Sequence, residues 1–153
     1  MKRKITLAWS YAVEVILSLL TLTFGAITLG WESIQKLTIQ LSSNFTTLFL
    51  IVMLAAAITA TCTLYGKSET KFLVWMERRR ILRPYIHAMS YATLVFATST
   101  VASVLISKFN HAALVTATAF LFILSIINTY TMLSNFHGLF KLNMTFNSID
   151  KSL

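Results

Sequence analysis

The sequence contains little charge: 12% of its 153 residues are Asp, Glu, Lys or Arg, about half of the roughly 25% found in soluble domains. Hydrophobic residues make up 56% of the chain. A chain of this composition cannot cover itself with polar surface, which excludes a soluble domain and predicts a membrane protein. Four spanning helices of about 20 residues each would use more than half of the sequence and leave no room for a separate soluble domain.

Cysteine is almost absent. The single Cys62 lies in an apolar run, so the sequence contains neither a disulfide framework nor a CxxC pair for redox chemistry or zinc. The three histidines, His87, His111 and His137, lie at the cytoplasmic start of the third span, in an outer turn and in the tail, so the predicted topology divides them between the two sides of the membrane. Since neither a metal site nor a nucleophile and base pair is visible, we expect no cofactor and no enzymatic activity.

Four long apolar runs predict an all-α, polytopic fold with a single membrane domain over residues 1–153. The predicted spans are residues 5–31, 45–65, 86–106 and 112–133. The first apolar run exceeds the core of 7 to 15 residues that is typical of a signal peptide, so we expect a retained span. A basic loop, residues 66–85, separates the second and third spans, and Pro84 falls where the third helix would begin.

Lys and Arg are distributed unevenly around these spans. Three lie before the first span, six in loop 66–85 and two in the tail, residues 134–153, so one side would hold eleven of the 13. Lys36 and Lys108 are alone on the other side. The positive-inside rule predicts that both termini and the loop are cytoplasmic, in a bacterial inner membrane. The same bias explains most of the net charge of +8, so direct binding of nucleic acid is not expected.

Each span carries small or polar residues at helical spacing, which predicts faces that pack against other helices. The predicted faces are Ser10, Glu14, Ser18, Thr21, Gly25 and Thr28 in the first span; Ala55, Thr59, Cys62 and Gly66 in the second; Ser90, Thr93, Ala97, Thr100, Val104 and Ser107 in the third; and Thr118, Ser125, Asn128 and Thr129 in the fourth. We expect Asn128 to hydrogen-bond between helices. Four such faces exceed the needs of one thin bundle, which predicts a homo-oligomer.

Glu14 is the one acidic residue inside a predicted span, where a carboxylate costs a few kcal/mol. It is therefore expected to bind a proton or cation, to fix assembly, or to serve structurally by reaching a basic loop residue or remaining protonated. The run from Ala12 to Val15, AVEV, in a four-span chain resembles the small multidrug resistance transporters. That resemblance implies exchange of protons and cationic drugs at Glu14.

The first loop, residues 32–43, carries Ile34, Leu37 and Leu41 at helical spacing, and Trp31 precedes it as an interface anchor. This pattern predicts a short helix on the outer membrane surface. The tail also keeps apolar residues and is expected to lie along the interface or against a partner.

Loop 66–85 mixes Trp75 and Met76 with a cluster of arginines: Arg78, Arg79, Arg80 and Arg83. On a helical wheel the cationic and apolar residues do not separate cleanly. We expect this cluster to contact lipid headgroups or the acidic surface of a cytosolic protein.

The predicted architecture, with four spans, cytoplasmic termini and an arginine-rich loop, resembles the KwaA family, the membrane subunits of Kiwa-type bacterial anti-phage defence systems. That resemblance implies a small membrane subunit that oligomerises and anchors or senses for a cytosolic partner. The alternative from the residues is a small transporter or an oligomeric pore that uses Glu14.

Overall fold

The computed structural model describes residues 2–66, 70–109 and 111–150, with side chains from residue 11 to residue 148 outside the two gaps. The helices are α1 (Lys2–Leu29), α2 (Trp31–Phe45), α3 (Ile51–Gly66), α4 (Lys71–Arg78), α5 (Leu82–Lys108) and α6 (Ala112–Asp150). No strand occurs within these ranges. The side chain of Ser10, residues 67–69 of the basic loop and residues 151–153 of the tail lie outside the described part.

Four helical segments of the described chain are long and apolar enough to cross a membrane, which confirms the all-helical, four-span prediction. The segments are Tyr11–Leu29, Trp31–Gly66, Leu82–Lys108 and Ala112–Ser148. Their number matches the four predicted spans, whereas two of them are much longer than predicted.

The second segment runs without a break through α2, a π-helical turn (Thr46–Leu50) and α3, for 36 residues. The sequence predicts a separate surface helix and a span that starts near Phe45. At 1.5 Å per residue the segment would be about 54 Å long if straight, well beyond the roughly 30 Å of bilayer hydrocarbon. Similarly, α6 continues to Asp150 and includes most of the predicted tail.

Gly30 makes the reversal between α1 and α2. Its backbone has φ 82° and ψ 147°, close to a region that is essentially restricted to glycine. Beyond this turn the two helices approach each other, because a Cβ atom added to Gly25 would lie 3.4 Å from Cδ1 of Ile34. The backbone conformation at position 30 is thus the reason that glycine is needed there.

Helices α5 and α6 form the central pair of the bundle. Helix α1 packs against α6, α3 packs against α5, and α2 contacts α1, α5 and α6. Met89 and Phe96 of α5 are fully buried in the core. Toward the C-terminal part of α6, a Cβ atom added to Gly138 would lie 3.0 Å from the hydroxyl of Tyr85 in α5. Helices α5 and α6 therefore remain close to each other along much of their length.

The buried faces of α3 and α5 differ from the predicted ones. In α3, the buried residues are Ala57, Ala60 and Leu64, while the predicted face of Ala55, Thr59, Cys62 and Gly66 is exposed. In α5, the buried residues include Ala92, Ser99 and Ser103, while Ser90, Val104 and Ser107 of the predicted face are exposed. Within a single chain these predicted faces are not the ones that pack, because small residues occur all around these helices, so spacing alone does not select the side that meets the bundle.

Helix α2 packs on the bundle through two polar residues. Thr38 and Ser42 are buried, whereas Leu37 and Leu41 are about half exposed. The exposed side of α2 also carries the polar and charged residues Glu32, Lys36 and Gln40. In α6, Thr118, Ser125 and Asn128 of the predicted face are buried. In α1, Glu14 and Ser18 of the predicted face are buried, whereas Thr21 and Thr28 are exposed.

Candidate functional site

A buried polar contact joins α1 to α6. Asn128 Nδ2 donates a hydrogen bond of 3.0 Å to Oε2 of Glu14. Only 5% of Glu14 and 2% of Asn128 is exposed, so the bond is shielded from water and lipid. The structure thus pairs the two intramembrane residues that the sequence selects, and the partner of Glu14 is an amide and not a basic loop residue.

Further hydroxyl contacts extend this polar layer to the other helices. The hydroxyl oxygens of Ser99 and Ser125 lie 2.7 Å apart in a hydrogen bond across the interface of α5 and α6, and both residues are fully buried. Ser103 of α5 accepts a hydrogen bond from Thr46 and donates one of 3.2 Å to the backbone carbonyl of Ser42. Hydrogen bonds between side chains therefore connect α1, α5, α6 and the π-helical turn, as expected where only protein can satisfy a polar group.

Three buried oxygen atoms near Glu14 have no hydrogen-bond partner within the described part of the chain: Tyr11 Oη, Glu14 Oε1 and Asn128 Oδ1. The ring of Tyr11 lies 4.3 Å from that of Tyr91, measured between centroids. Unpaired buried oxygens are costly and require an explanation. A carboxylate and an amide oxygen can accept a proton or coordinate a small cation, so this cluster is a candidate intramembrane binding site.

No three His, Cys, Asp or Glu side chains of the described residues come together in a way that could hold a metal ion.

The basic loop is a folded part of the molecule and is built around α4. The Thr70 hydroxyl caps this helix by accepting a hydrogen bond of 3.4 Å from the Leu73 backbone. Leu73 and Met76 are buried against the bundle, so α4 is packed on its surface. We call the end of the bundle that carries α4 the loop end.

An aromatic cluster attaches α4 to the last turns of α6. The Phe146 ring lies 5.7 Å from Phe72 and 5.6 Å from Trp75, between centroids. The Arg79 guanidinium lies over Trp75, 4.7 Å from the ring centre, in cation–π geometry. The predicted tail therefore contacts the basic loop through Phe146.

A Schellman motif ends α4 with an arginine where glycine is usual. The backbone N–H of Ile81 donates to the Met76 carbonyl at 3.0 Å, and that of Arg80 donates to the Glu77 carbonyl at 2.8 Å. Arg80 has φ 58°, a left-handed conformation that costs a residue with a side chain about 1 to 2 kcal/mol. The sequence does not predict this turn, because no glycine stands at the left-handed position.

The structure divides the predicted arginine cluster into two parts. Arg78 and Arg79 lie at the end of α4, with Arg79 on Trp75. Arg80 and Arg83 instead line a groove beside the start of α5. All four side chains are exposed, and within the described residues none forms an ion pair with a carboxylate.

Sequence reasoning missed the groove residues Tyr65, Glu77 and His87, and it missed the interhelical bonds of Ser99 and Ser103. Only proximity in the fold reveals the groove, because its lining comes from α3, α4 and α5. For the serines a signal was present, since both lie in the third span, but the spacing argument selected the neighbouring face.

The fold defines a multi-pass, all-helical membrane protein with a polar interior and a structured basic loop. Comparisons with known protein families, with characterised proteins and with solved structures find no match. The function must therefore be inferred from the residues and contacts described above.

Replacing Asn128 by leucine leaves the buried Glu14 carboxyl without its donor. We expect Asn128→Leu to lower the free energy of unfolding by about 1 to 2 kcal/mol. The double variant Glu14→Leu/Asn128→Leu should lose less stability than the single variant, because neither polar group of this pair is left without its partner. Unfolding in bicelles measures these values, and Thr21→Ala, at an exposed hydroxyl bonded within its own helix, should change little. A double variant less stable than the single one would contradict the pairing.

Proposed function

We propose that this protein is a small membrane subunit that holds a cytosolic protein partner at the membrane. The observation that carries the proposal is the fixed position of α4. Leu73 and Met76 bury one side of this helix, and Phe146 attaches its aromatic residues to α6. An arginine-bearing helix held in this way loses less conformational entropy when it binds a partner than a free loop would.

The charge distribution supports a cytoplasmic location for the loop end. The positive-inside rule assigns the side with eleven Lys and Arg residues to the cytoplasm, with both chain termini on that side. For a bacterial protein this corresponds to the inner membrane.

The docking surface of the proposal consists of Trp75, Arg78 and Arg79. Arginine and tryptophan are enriched among the residues that contribute most to protein interfaces. The two arginines have no carboxylate partner among the described residues, so they are available to an acidic surface. Charge complementarity thus favours a partner with a cluster of Asp or Glu side chains.

The exposed small-residue face of α3 supports self-association. Ala55, Thr59 and Cys62 face away from the bundle, although small residues are the ones that allow helices to approach closely in lipid. We propose that a second copy of the chain packs against this face.

We extend the proposal to anti-phage defence on the architectural resemblance to Kiwa membrane subunits, which act with a cytosolic partner. A neighbouring gene for a soluble nucleic-acid-binding or effector protein would support this extension.

A second candidate function is transport or conduction through an intramembrane site at Glu14. The unpaired oxygens of Glu14, Asn128 and Tyr11 favour it, since their arrangement suits a proton or a small cation.

Neutralising the docking surface should release the partner. For Arg78→Gln/Arg79→Gln we expect recovery of a cytosolic protein in pull-downs from native membranes to fall by about tenfold or more, because two interface arginines are lost. Glutamine leaves nine basic residues on the cytoplasmic side and so preserves topology. Lys108→Gln, at the other end of α5, is the control, and unchanged recovery with the double variant would refute this surface.

The single cysteine provides a direct test of self-association. Cys62 is exposed on the proposed α3 face, so mild oxidation in native membranes should produce a disulfide-linked dimer. Reducing agent should dissolve the dimer, and Cys62→Ser should abolish it. A second cross-linker that reacts with lysine serves as an independent check, and monomer alone with both reagents would exclude the oligomer.

The transport function requires a titratable group at position 14. If it is correct, Glu14→Gln should eliminate proton-coupled flux or conductance in liposomes while retaining the hydrogen bond to Asn128 as a neutral contact. Glu14→Gln/Asn128→Asp, which keeps one acidic group in the cluster, is the comparison variant. Absence of any flux in the unchanged protein would rule out this second candidate and leave the anchoring proposal intact.

A further inference from the structure

A groove of about 760 Å³ opens beside the start of α5, apart from the aromatic cluster. The ends of α3 and α4 and the first turns of α5 form its walls. Its apolar lining consists of the buried Leu64 and Leu82 and the partly buried Ile86, and its polar lining consists of Tyr65, Glu77, Arg80, Arg83 and His87.

The polar lining favours an anion. Arg80 and Arg83 supply two permanent positive charges, and Glu77 is the one carboxylate among the described residues that line the groove. Neither arginine forms an ion pair with a carboxylate of the described residues, so their N–H groups remain available. The planar guanidinium fork matches the geometry of phosphate oxygens, and Tyr65 adds a hydroxyl donor.

The position of the groove favours a lipid over a soluble anion. Two of its walls are the points at which membrane-spanning helices end: α3 at Gly66 and α5 at Leu82. Hydrocarbon gives way to headgroups at such helix ends, and tyrosine is typical of that depth. A groove that is apolar on one side and basic on the other therefore fits a lipid acyl chain joined to a phosphate.

The backbone of Arg80 provides an independent argument. Arginine occupies the left-handed position of the Schellman motif, where glycine would avoid strain. Strained backbone conformations concentrate at functional sites. The side chain that this residue adds, and glycine would lack, lines the groove.

We propose that this groove binds an anionic phospholipid of the adjacent leaflet, with Arg80 and Arg83 contacting the phosphate and Leu64 and Ile86 contacting an acyl chain. This binding is independent of the proposed partner, whose docking surface is formed by Trp75, Arg78 and Arg79. It also explains why the arginines follow no single face of a helix.

The test is lipid retention by the full-length protein in nanodiscs that contain equal amounts of phosphatidylglycerol and phosphatidylcholine. Native mass spectrometry after release gives the ratio of the two retained lipids. We expect phosphatidylglycerol to dominate for the unchanged protein. In Arg80→Gly/Arg83→Gln the ratio should fall by about 25-fold, at about fivefold for each arginine that loses its direct hydrogen bond to the phosphate. Glycine suits the backbone at position 80, so the variant retains the turn.

The matched control is Arg78→Gln/Arg79→Gln, which removes the same charge from the same end of the bundle but outside the groove. Its lipid ratio should fall much less than that of Arg80→Gly/Arg83→Gln, because Arg78 and Arg79 do not line the groove. An equal fall in both variants would overturn the proposal in favour of general attraction to the membrane surface.

Two further measurements separate a lipid from other occupants. Ile86→Trp fills the apolar lining without changing charge and should reduce retention of phosphatidylglycerol, whereas unchanged retention would overturn the proposal. In detergent, millimolar inorganic phosphate should leave the bound lipid in place. Displacement of the lipid by phosphate would instead identify a site for free phosphate.

Discussion

Inside a bilayer, a polar side chain can find a hydrogen-bond partner only in another part of the protein, and this constraint organises the bundle. Asn128 meets Glu14, Ser99 meets Ser125, and Thr46 meets Ser103. Each contact joins different helices and so restricts how they rotate about their axes. Apolar residues such as Leu20 and Phe24 of α1 can then face outward, where lipid replaces the water that would exclude them from the surface of a soluble protein.

The same bundle also gives a fixed shape to the basic loop. Because α4 is packed through Leu73 and Met76 and contacts Phe146, the loop arginines occupy defined positions. The left-handed turn at Arg80 then separates them into an outward pair beside Trp75 and a pair that lines a groove. One cluster in sequence thus forms two surfaces, and we assign one to a protein and the other to a lipid.

The success of the sequence predictions differs between helices for a physical reason. Glu14 and Asn128 were identified as protein-facing because a carboxylate and an amide are too costly to expose to lipid. Helix α3 contains only small, hydroxyl and apolar residues, and its threonines can bond to their own backbone, as Thr59 does to the Ala55 carbonyl. Lipid exposure costs such residues little, so their spacing predicted a buried face for α3 that is exposed.

The sequence by itself determined the class of protein, the number of spans and the asymmetry of charge, because hydropathy, helix length and charge add up along the chain without reference to contacts. The tertiary structure decided which amide meets Glu14, which face of α3 remains open and which arginines share a groove with His87. These features depend on the rotation and adjacency of helices far apart in sequence. No local pattern encodes that information, since small and hydroxyl residues are tolerated on either side of a helix in lipid.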